Sequence, residues 1–279
     1  MTSAAGVRMP RLLYGTAWKK GETERLVALA LREGFRGIDT ACQPRHYHEP
    51  GVGAGIAAAL TGDLARADLY IQTKFTPVSG QDPTRVPYDP SAPLAEQVAQ
   101  SCAVSLRNLQ TDYLDSLVLH SPLATIRETL EAWRAMESLV DGGGVRQLGI
   151  SNCDRLDRLE ALQGAARIRP AVLQNRFYAD TGYDRELRAF CARERIIYQS
   201  FWTLTANPQI LAHPVSTSIA RSRGRTPAQI LFRYLIECGV VPLTGTRSPA
   251  HMREDLAIFE FELDGDDRRA LGRVLGAAE

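Results

Sequence analysis

The chain has 279 residues and a net charge of +1, with 44% hydrophobic and 23% charged residues, a balance suited to one large α/β domain or two small ones around a sizeable core. The near-zero charge argues against nucleic acid or an anionic membrane as partner. The apolar stretches fall short of the roughly 20 residues a spanning helix needs, and "MTSAAGVRMPRLLYG" at the N-terminus has no signal-type apolar core.

Taken in chain order, helical patterns alternate with short apolar runs. "ETERLVALALREG" carries its charge on one side and stops at a glycine, then "RGIDTA" (36–41) reads as a strand. "GVGAGI" (51–56) reads as a helix start packed closely on a neighbour. The next strand is "LYIQTKF" (69–75), followed by "PLAEQVAQSCAVSLRNL", a helix opening at a proline. "DSLVLH" (115–120), "VRQLGIS" (145–151), "AVLQN" (171–175) and "IIYQSF" (196–201) continue the series, with "TIRETLEAWRAMESLVDGGG" between the first two. "TPAQILFRYLIECG" leads into "GVVPLTG" (239–245), and "LAIFEF" (256–261) completes eight strands.

These runs are rich in Val, Ile and Leu and show little alternation, as strands buried on both faces of a parallel sheet do. Eight of them with intervening helices predict a closed (β/α)8 TIM barrel forming a single domain over residues 1–279. An open doubly wound sheet would carry a GxGxxG turn after its first strand, and "GIDTA" is followed by none. Five cysteines, an odd number without a CxxC pair, predict reduced thiols in a cytoplasmic protein.

The chemistry of such a barrel sits at the C-terminal ends of its strands. Those ends carry Asp39, Lys74, His120, Ser151 with Asn152, and Gln174 with Asn175, five consecutive polar rims after apolar runs. Lys74 stands out further because only Lys19, Lys20 and Lys74 are lysines among 33 basic residues, and arginine cannot deprotonate. A tyrosine hydroxyl, with a pKa of about 10, is a poor acid at neutral pH. A neighbouring ammonium favours phenolate, a carboxylate keeps that ammonium charged, and a histidine can polarise a carbonyl. The set delivers a proton to an oxygen on which charge builds, and it lacks a nucleophile, so hydride transfer from a cofactor is the expected companion step. The rival reading is a metal-dependent barrel hydrolase using His46 and His48. Its HxH pair lies seven residues past Asp39 in a proline-bearing loop, with no second histidine pair in the chain, so no metal site is expected.

Nearly the whole chain resembles the aldo-keto reductases. The matching stretches are "GTAWK" (15–19), "GIDTA…Y…E..VG" (37–53), "TKFTP" (73–77), "LVLHSP" (117–122), "GVRQLGISN" (144–152), "VLQN" (172–175), "TPAQILFRY" (226–234) and "REDL" (253–256). The resemblance implies a (β/α)8 barrel that uses NADPH, or NADH, to reduce a small-molecule aldehyde or ketone, with Tyr47 as general acid and Asp39, Lys74 and His120 as its support. Asp39 and Tyr47 are further apart than is usual in the family. The resemblance also implies that Ser151, Asn152 and Gln174 hold the nicotinamide carboxamide while Phe201 stacks on its ring. Gly15, Thr16, Asp39, Trp202 and Leu204 would line the dinucleotide, Thr246 and Arg247 would meet the 2′-phosphate, and Glu254 and Asp255 the adenine. Trp18, His48 and Phe75, together with Tyr14, Phe177 and Trp202, would give the substrate pocket aromatic walls. "LGRVLGAAE" ends the chain without a long closing loop, so the expected pocket is wide. A monomer is expected. The alternative within the same fold is a cofactor-binding sensor or regulatory subunit with little turnover, suggested by the lengthened loop before Tyr47.

Overall fold

In the computed structural model, residues 1–60 and 64–276 are described. The expectation drawn from "LGRVLGAAE" therefore runs past Gly276 onto residues outside that description.

Eight parallel strands close into a barrel: β1 (Leu13–Gly15), β2 (Gly37–Asp39), β3 (Tyr70–Phe75), β4 (Ser116–Leu119), β5 (Leu148–Ser151), β6 (Val172–Arg176), β7 (Ile197–Phe201) and β8 (Val241–Thr244). They neighbour one another in sequence order, and β8 returns to β1 through Leu13↔Leu243 and Tyr14↔Thr244. The outer helices are α1 (Thr23–Glu33), α2 (Glu49–Ala59), α3 (Leu94–Leu109), α4 (Ile126–Asp141), α5 (Leu156–Ala165), α6 (Arg185–Glu194), α7 (Pro208–Ala212), α8 (Pro214–Arg223), α9 (Pro227–Glu237), α10 (Pro249–Leu256) and α11 (Gly265–Val274).

The barrel expected from the sequence is present, but one of its strands lies elsewhere. "LAIFEF" is not a strand: Leu256 ends α10 and Ala257–Phe259 is a 3-10 turn, with Ile258 buried and Phe259 exposed. A short apolar run has no periodicity by which to separate strand from helix end. The strand it displaced is β1, only three residues long, whose Leu13 and Tyr14 are fully buried. Six of the remaining seven strands fall within the expected runs, and β6 runs one residue past "AVLQN" to Arg176; each stands one place later in order.

Strand alternation sorts side chains between barrel interior and helix layer. Leu13, Tyr70, Ile197 and Val241 form an apolar floor with Val7 and Met9 of the N-terminal segment. Above it the interior turns polar, with Gln72 and Gln199 wholly buried, and higher still come Asp39 and Lys74. Side chains of opposite parity, such as Ile38, Ile71 and Leu173, join the main core beneath the helices.

"GVGAGI" does start a closely packed helix, because α2 wedges between α1 and α3. A Cβ on Gly53 would lie 2.0 Å from the Asn108 carbonyl oxygen, and one on Gly55 2.6 Å from that of Glu24. Glu49 opens α2 with a buried carboxylate that accepts from Thr73 Oγ1 (2.5 Å), Ser105 Oγ (3.0 Å) and Asn108 Nδ2 (3.2 Å), tying the helix start to β3 and α3. Thr125 and Glu128 form a reciprocal capping box on α4, as Thr226 and Gln229 do on α9.

Candidate active site

Lys74 faces the barrel mouth from β3 and is 1% exposed. Its ammonium donates to Asp39 Oδ1 (2.8 Å), Asp39 Oδ2 (2.7 Å) and the Thr40 carbonyl (2.8 Å). Asp39 Oδ1 also accepts from Gln72 Nε2 (2.7 Å) and Gln174 Nε2 (2.9 Å), both of which donate to Gln199 Oε1 as well. A carboxylate that accepts four hydrogen bonds on its two oxygens holds the ammonium in place. Burial pushes the Lys74 pKa down, and the Asp39 charge partly offsets it.

Tyr47 stands above this pair, with Lys74 Nζ 5.4 Å from its ring centroid. The long loop from Asp39 reaches it by folding into a turn, in which the Gln43 carbonyl accepts from the His46 and Tyr47 amides (3.2 and 3.0 Å) and Gln43 Nε2 anchors to the Gly80 carbonyl (2.7 Å). The ring meets His120 edge-on, with centroids 6.0 Å apart. The expectation that Lys74 lowers the Tyr47 pKa needs correcting. Burial, followed by the Asp39 charge, raises it above its ordinary 10.0. The reason is geometric: an ammonium has three protons, and Asp39 and Thr40 occupy Lys74 Nζ.

His120 follows β4. Its Nδ1 lies 2.6 Å from Thr76 Oγ1, and its carbonyl accepts from Asn152 Nδ2 (2.8 Å). Burial, then the positive charge of Lys74 and the proximity of His46, push its pKa well below 6.5, so the ring is neutral. When Thr76 donates to Nδ1, the remaining proton sits on Nε2, the nitrogen left to meet a substrate oxygen.

The residues expected from the sequence to meet a cofactor also gather at this rim. Ser151 Oγ donates to the Gln174 carbonyl (2.6 Å), and Asn152 turns into the left-handed region at φ 50°. Gln174 spends both amide protons inside the barrel, leaving its carbonyl oxygen to receive a donor. Phe201 is half-buried at the end of β7, and Trp202 is 49% exposed at φ 57°, a strained backbone for so bulky a residue. Leu204 is half-buried in the same loop. Gly15 ends β1, and Thr16 is held by its amide and hydroxyl to the Asp39 carbonyl (3.0 and 2.9 Å).

Arg247, exposed after β8, reaches back to Glu22 Oε2 (2.5 Å) and the Trp18 carbonyl (2.8 Å), while Thr246 Oγ1 accepts from the Ser248 amide. Glu254 is half-buried on α10. Asp255, expected at the adenine, is buried and accepts from Thr244 Oγ1 (2.7 Å), and burial pushes its pKa up to about 6. It therefore anchors α10 to β8.

The pocket walls differ from expectation. Phe75 follows Lys74 and so points the other way, into the core against Tyr88 at 5.6 Å, where it is 1% exposed. Tyr14 and Phe177 are likewise core residues. Trp18 remains at the surface, stacked on His46 with centroids 3.9 Å apart. His48 is exposed just before α2. Among the described residues, no group of three or more His, Cys, Asp or Glu side chains is placed to hold a metal.

Sequence reading passed over several residues that the fold brings here. Gln72, Gln199 and Thr76 are polar interruptions of strand-like stretches, a visible but non-specific signal. Lys19 is buried, with its ammonium on the Gly245 carbonyl, and burial pulls its pKa down to about 8. Arg176, at the end of β6, carried no sequence signal.

A (β/α)8 barrel with Tyr, Lys, Asp and His at its C-terminal mouth has the form of an oxidoreductase acting on carbonyls. The family model described as "Aldo/keto reductase family" matches residues 11–206 and 202–275. Similar proteins include methylglyoxal reductase DkgA of Salmonella typhimurium, 31% identical over 95% of this chain and 90% of that one. The uncharacterized oxidoreductase YtbE of Bacillus subtilis is 30% identical over 94% and 88%. The crystal structure of an aldo/keto reductase from Brucella melitensis superposes with a TM-score of 0.84 at 29% identity, covering 98% of both chains. The chain belongs to the aldo/keto reductase family. No helix among the described residues is long and apolar enough to cross a membrane.

Proposed function

We propose that the chain reduces aldehydes or ketones to alcohols with NADPH, accepting NADH less well. The observation that carries this reading is the buried Asp39–Lys74 pair beneath Tyr47 (Lys74 Nζ 5.4 Å from the ring), with neutral His120 beside it. The rim also fits a nicotinamide. Phe201 offers a half-buried ring face, and Gln174 has one unspent acceptor that suits a carboxamide NH2. The bound cofactor supplies a hydride to the carbonyl carbon. His120 Nε2 donates to the carbonyl oxygen and orients it, and Tyr47 gives that oxygen a proton as negative charge accumulates. Lys74 exchanges its Thr40 contact for the phenolic oxygen as the tyrosine loses its proton, while Asp39 keeps the ammonium charged. Thr246 and Arg247 are assigned to the 2′-phosphate, for which Arg247 exchanges Glu22. The methylglyoxal reductase relatives support a small carbonyl substrate.

A second reading, a cofactor-binding protein with little turnover, is favoured by the occupied Lys74 donors. Single-turnover oxidation of bound NADPH by a panel of aldehydes, wild type against Tyr47→Phe, separates the two. Fast oxidation that collapses in the variant with cofactor affinity intact supports the reductase. Equal slow oxidation in both proteins favours the binding protein.

A further inference from the structure

One cation at the barrel mouth has no anionic partner among the described residues. Arg176 ends β6 two residues after Gln174 and therefore lies on the same, inward strand face. Gln174 reaches Asp39 Oδ1 at 2.9 Å, so Arg176 stands one step above the Asp39–Lys74 pair. Its cross-strand neighbour is Phe201, to which the nicotinamide ring is assigned above. The guanidinium carbon is 4.2 Å from the Trp202 ring centroid and 5.2 Å from that of Tyr178. Its Nε is buried without a hydrogen-bond partner, and among the described residues the side chain has no ion pair. Several other partly buried arginines are answered by carboxylates, Arg66 by Asp115, Arg223 by Asp264 and Asp267, and Arg233 by Glu237.

Stacking holds a guanidinium by its face and leaves the in-plane N–H donors for a planar anion. A buried donor without an acceptor is costly, so the arrangement is completed by what binds there. The proposed dinucleotide path runs from β7 towards Thr246 and Arg247 after β8, whereas Arg176 lies across β7 on the β6 side. That placement puts the guanidinium beside Gln174 at the nicotinamide end of the site, away from the cofactor phosphates and where the reacting carbonyl must come. We infer that Arg176 binds a carboxylate carried by the carbonyl substrate, so that the site selects oxo acids over neutral carbonyls. This inference rests on the reductase reading.

The test compares kcat/KM for benzaldehyde and 4-carboxybenzaldehyde, and for butanal and 4-oxobutanoate, in wild type, Arg176→Met and Arg176→Lys. Met keeps the length and the aromatic stack, while Lys keeps the charge without the fork. Wild type is expected to favour each acid by at least about ten-fold, the scale of one charge-assisted hydrogen bond. That ratio falls to near one in Arg176→Met and to an intermediate value in Arg176→Lys. No preference in wild type, or a preference that survives Arg176→Met, overturns the inference while leaving the reductase reading intact. A weaker NADPH Kd in Arg176→Met with the acid preference retained assigns the guanidinium to the cofactor instead. If no aldehyde is turned over, the reductase reading fails, and calorimetry with benzoate and benzamide on the NADPH-loaded protein decides the anion site. Benzoate binding lost in Arg176→Met supports it, and equal binding of the two ligands refutes it.

Discussion

Thr76 Oγ1 lies 2.6 Å from His120 Nδ1, and this contact couples the direction of the threonine hydroxyl to the histidine tautomer. Thr76 is buried, and its carbonyl is fixed by Tyr88 OH (2.7 Å) and Gln81 Nε2 (3.1 Å), so its hydroxyl has a stable origin. With Thr76 as donor, Nε2–H faces the substrate. Thr76→Val should lower kcat/KM by about ten-fold, the worth of one buried hydrogen bond, while Thr76→Ser retains most of it. Long-range 15N spectra should show His120 protonated on Nε2 in wild type and as a tautomer mixture in Thr76→Val. A single unchanged tautomer in the variant would refute this role.

Lys74 and Asp39 are both buried, so removing either one strands the other. Lys74→Met should abolish turnover and cost about 3–5 kcal/mol of stability, as breaking a buried pair does. The double variant Asp39→Asn, Lys74→Met should be more stable than Lys74→Met alone. Urea unfolding checks both statements, and a double variant less stable than either single one would contradict them.

Neutral His120 gives stability a defined pH dependence. Its folded pKa lies well below 6.5, so in the window below 6.5 the unfolded chain binds more protons than the native one. Stability is then fully present above 6.5 and is lost as pH falls towards the folded value. Replacing His120 with Gln should flatten that acid-side slope in thermal melts between about pH 6.5 and 5. An identical slope in the variant would mean that His120 is not the group responsible.

Lys19 places a titration on the alkaline side. Its pKa is pulled down to about 8 by burial, and its ammonium sits on Gly245 next to Thr246 and Arg247. Cofactor affinity should weaken as pH rises through 8, appearing in the cofactor KM and not in kcat. Lys19→Met should have the weaker affinity at every pH, without the limb.

Gly53 tests the packing of α2. Its Cβ position lies 2.0 Å from the Asn108 carbonyl oxygen, so Gly53→Ala must separate α2 from α3. A loss of about 1–3 kcal/mol is expected from overpacking, read as a lower Tm. Because the shift would also disturb Asn108 Nδ2 on Glu49, the effect belongs at the upper end of that range.

The sequence by itself determined the barrel and most of its mouth. Alternation of apolar runs with amphipathic helices is a local consequence of burial on both sheet faces, and Asp39, Lys74, His120, Ser151 and Gln174 stand out as polar ends of such runs. What escaped was short or shared between patterns: the three residues of β1, and an apolar "LAIFEF" that suits a strand and a helix end equally. Only the tertiary structure decided the side-chain partnerships. Strand parity turned Phe75 into the core while Lys74 took the mouth, and burial sent Asp255 to Thr244. A folded turn on Gln43 carried Tyr47 across a long loop, and closure of the barrel put Gln72 and Gln174 on one carboxylate with Gln199 bridging the two amides. Those outcomes depend on contacts between residues far apart in the chain and on competition for a few donors and acceptors. Local spacing does not encode them.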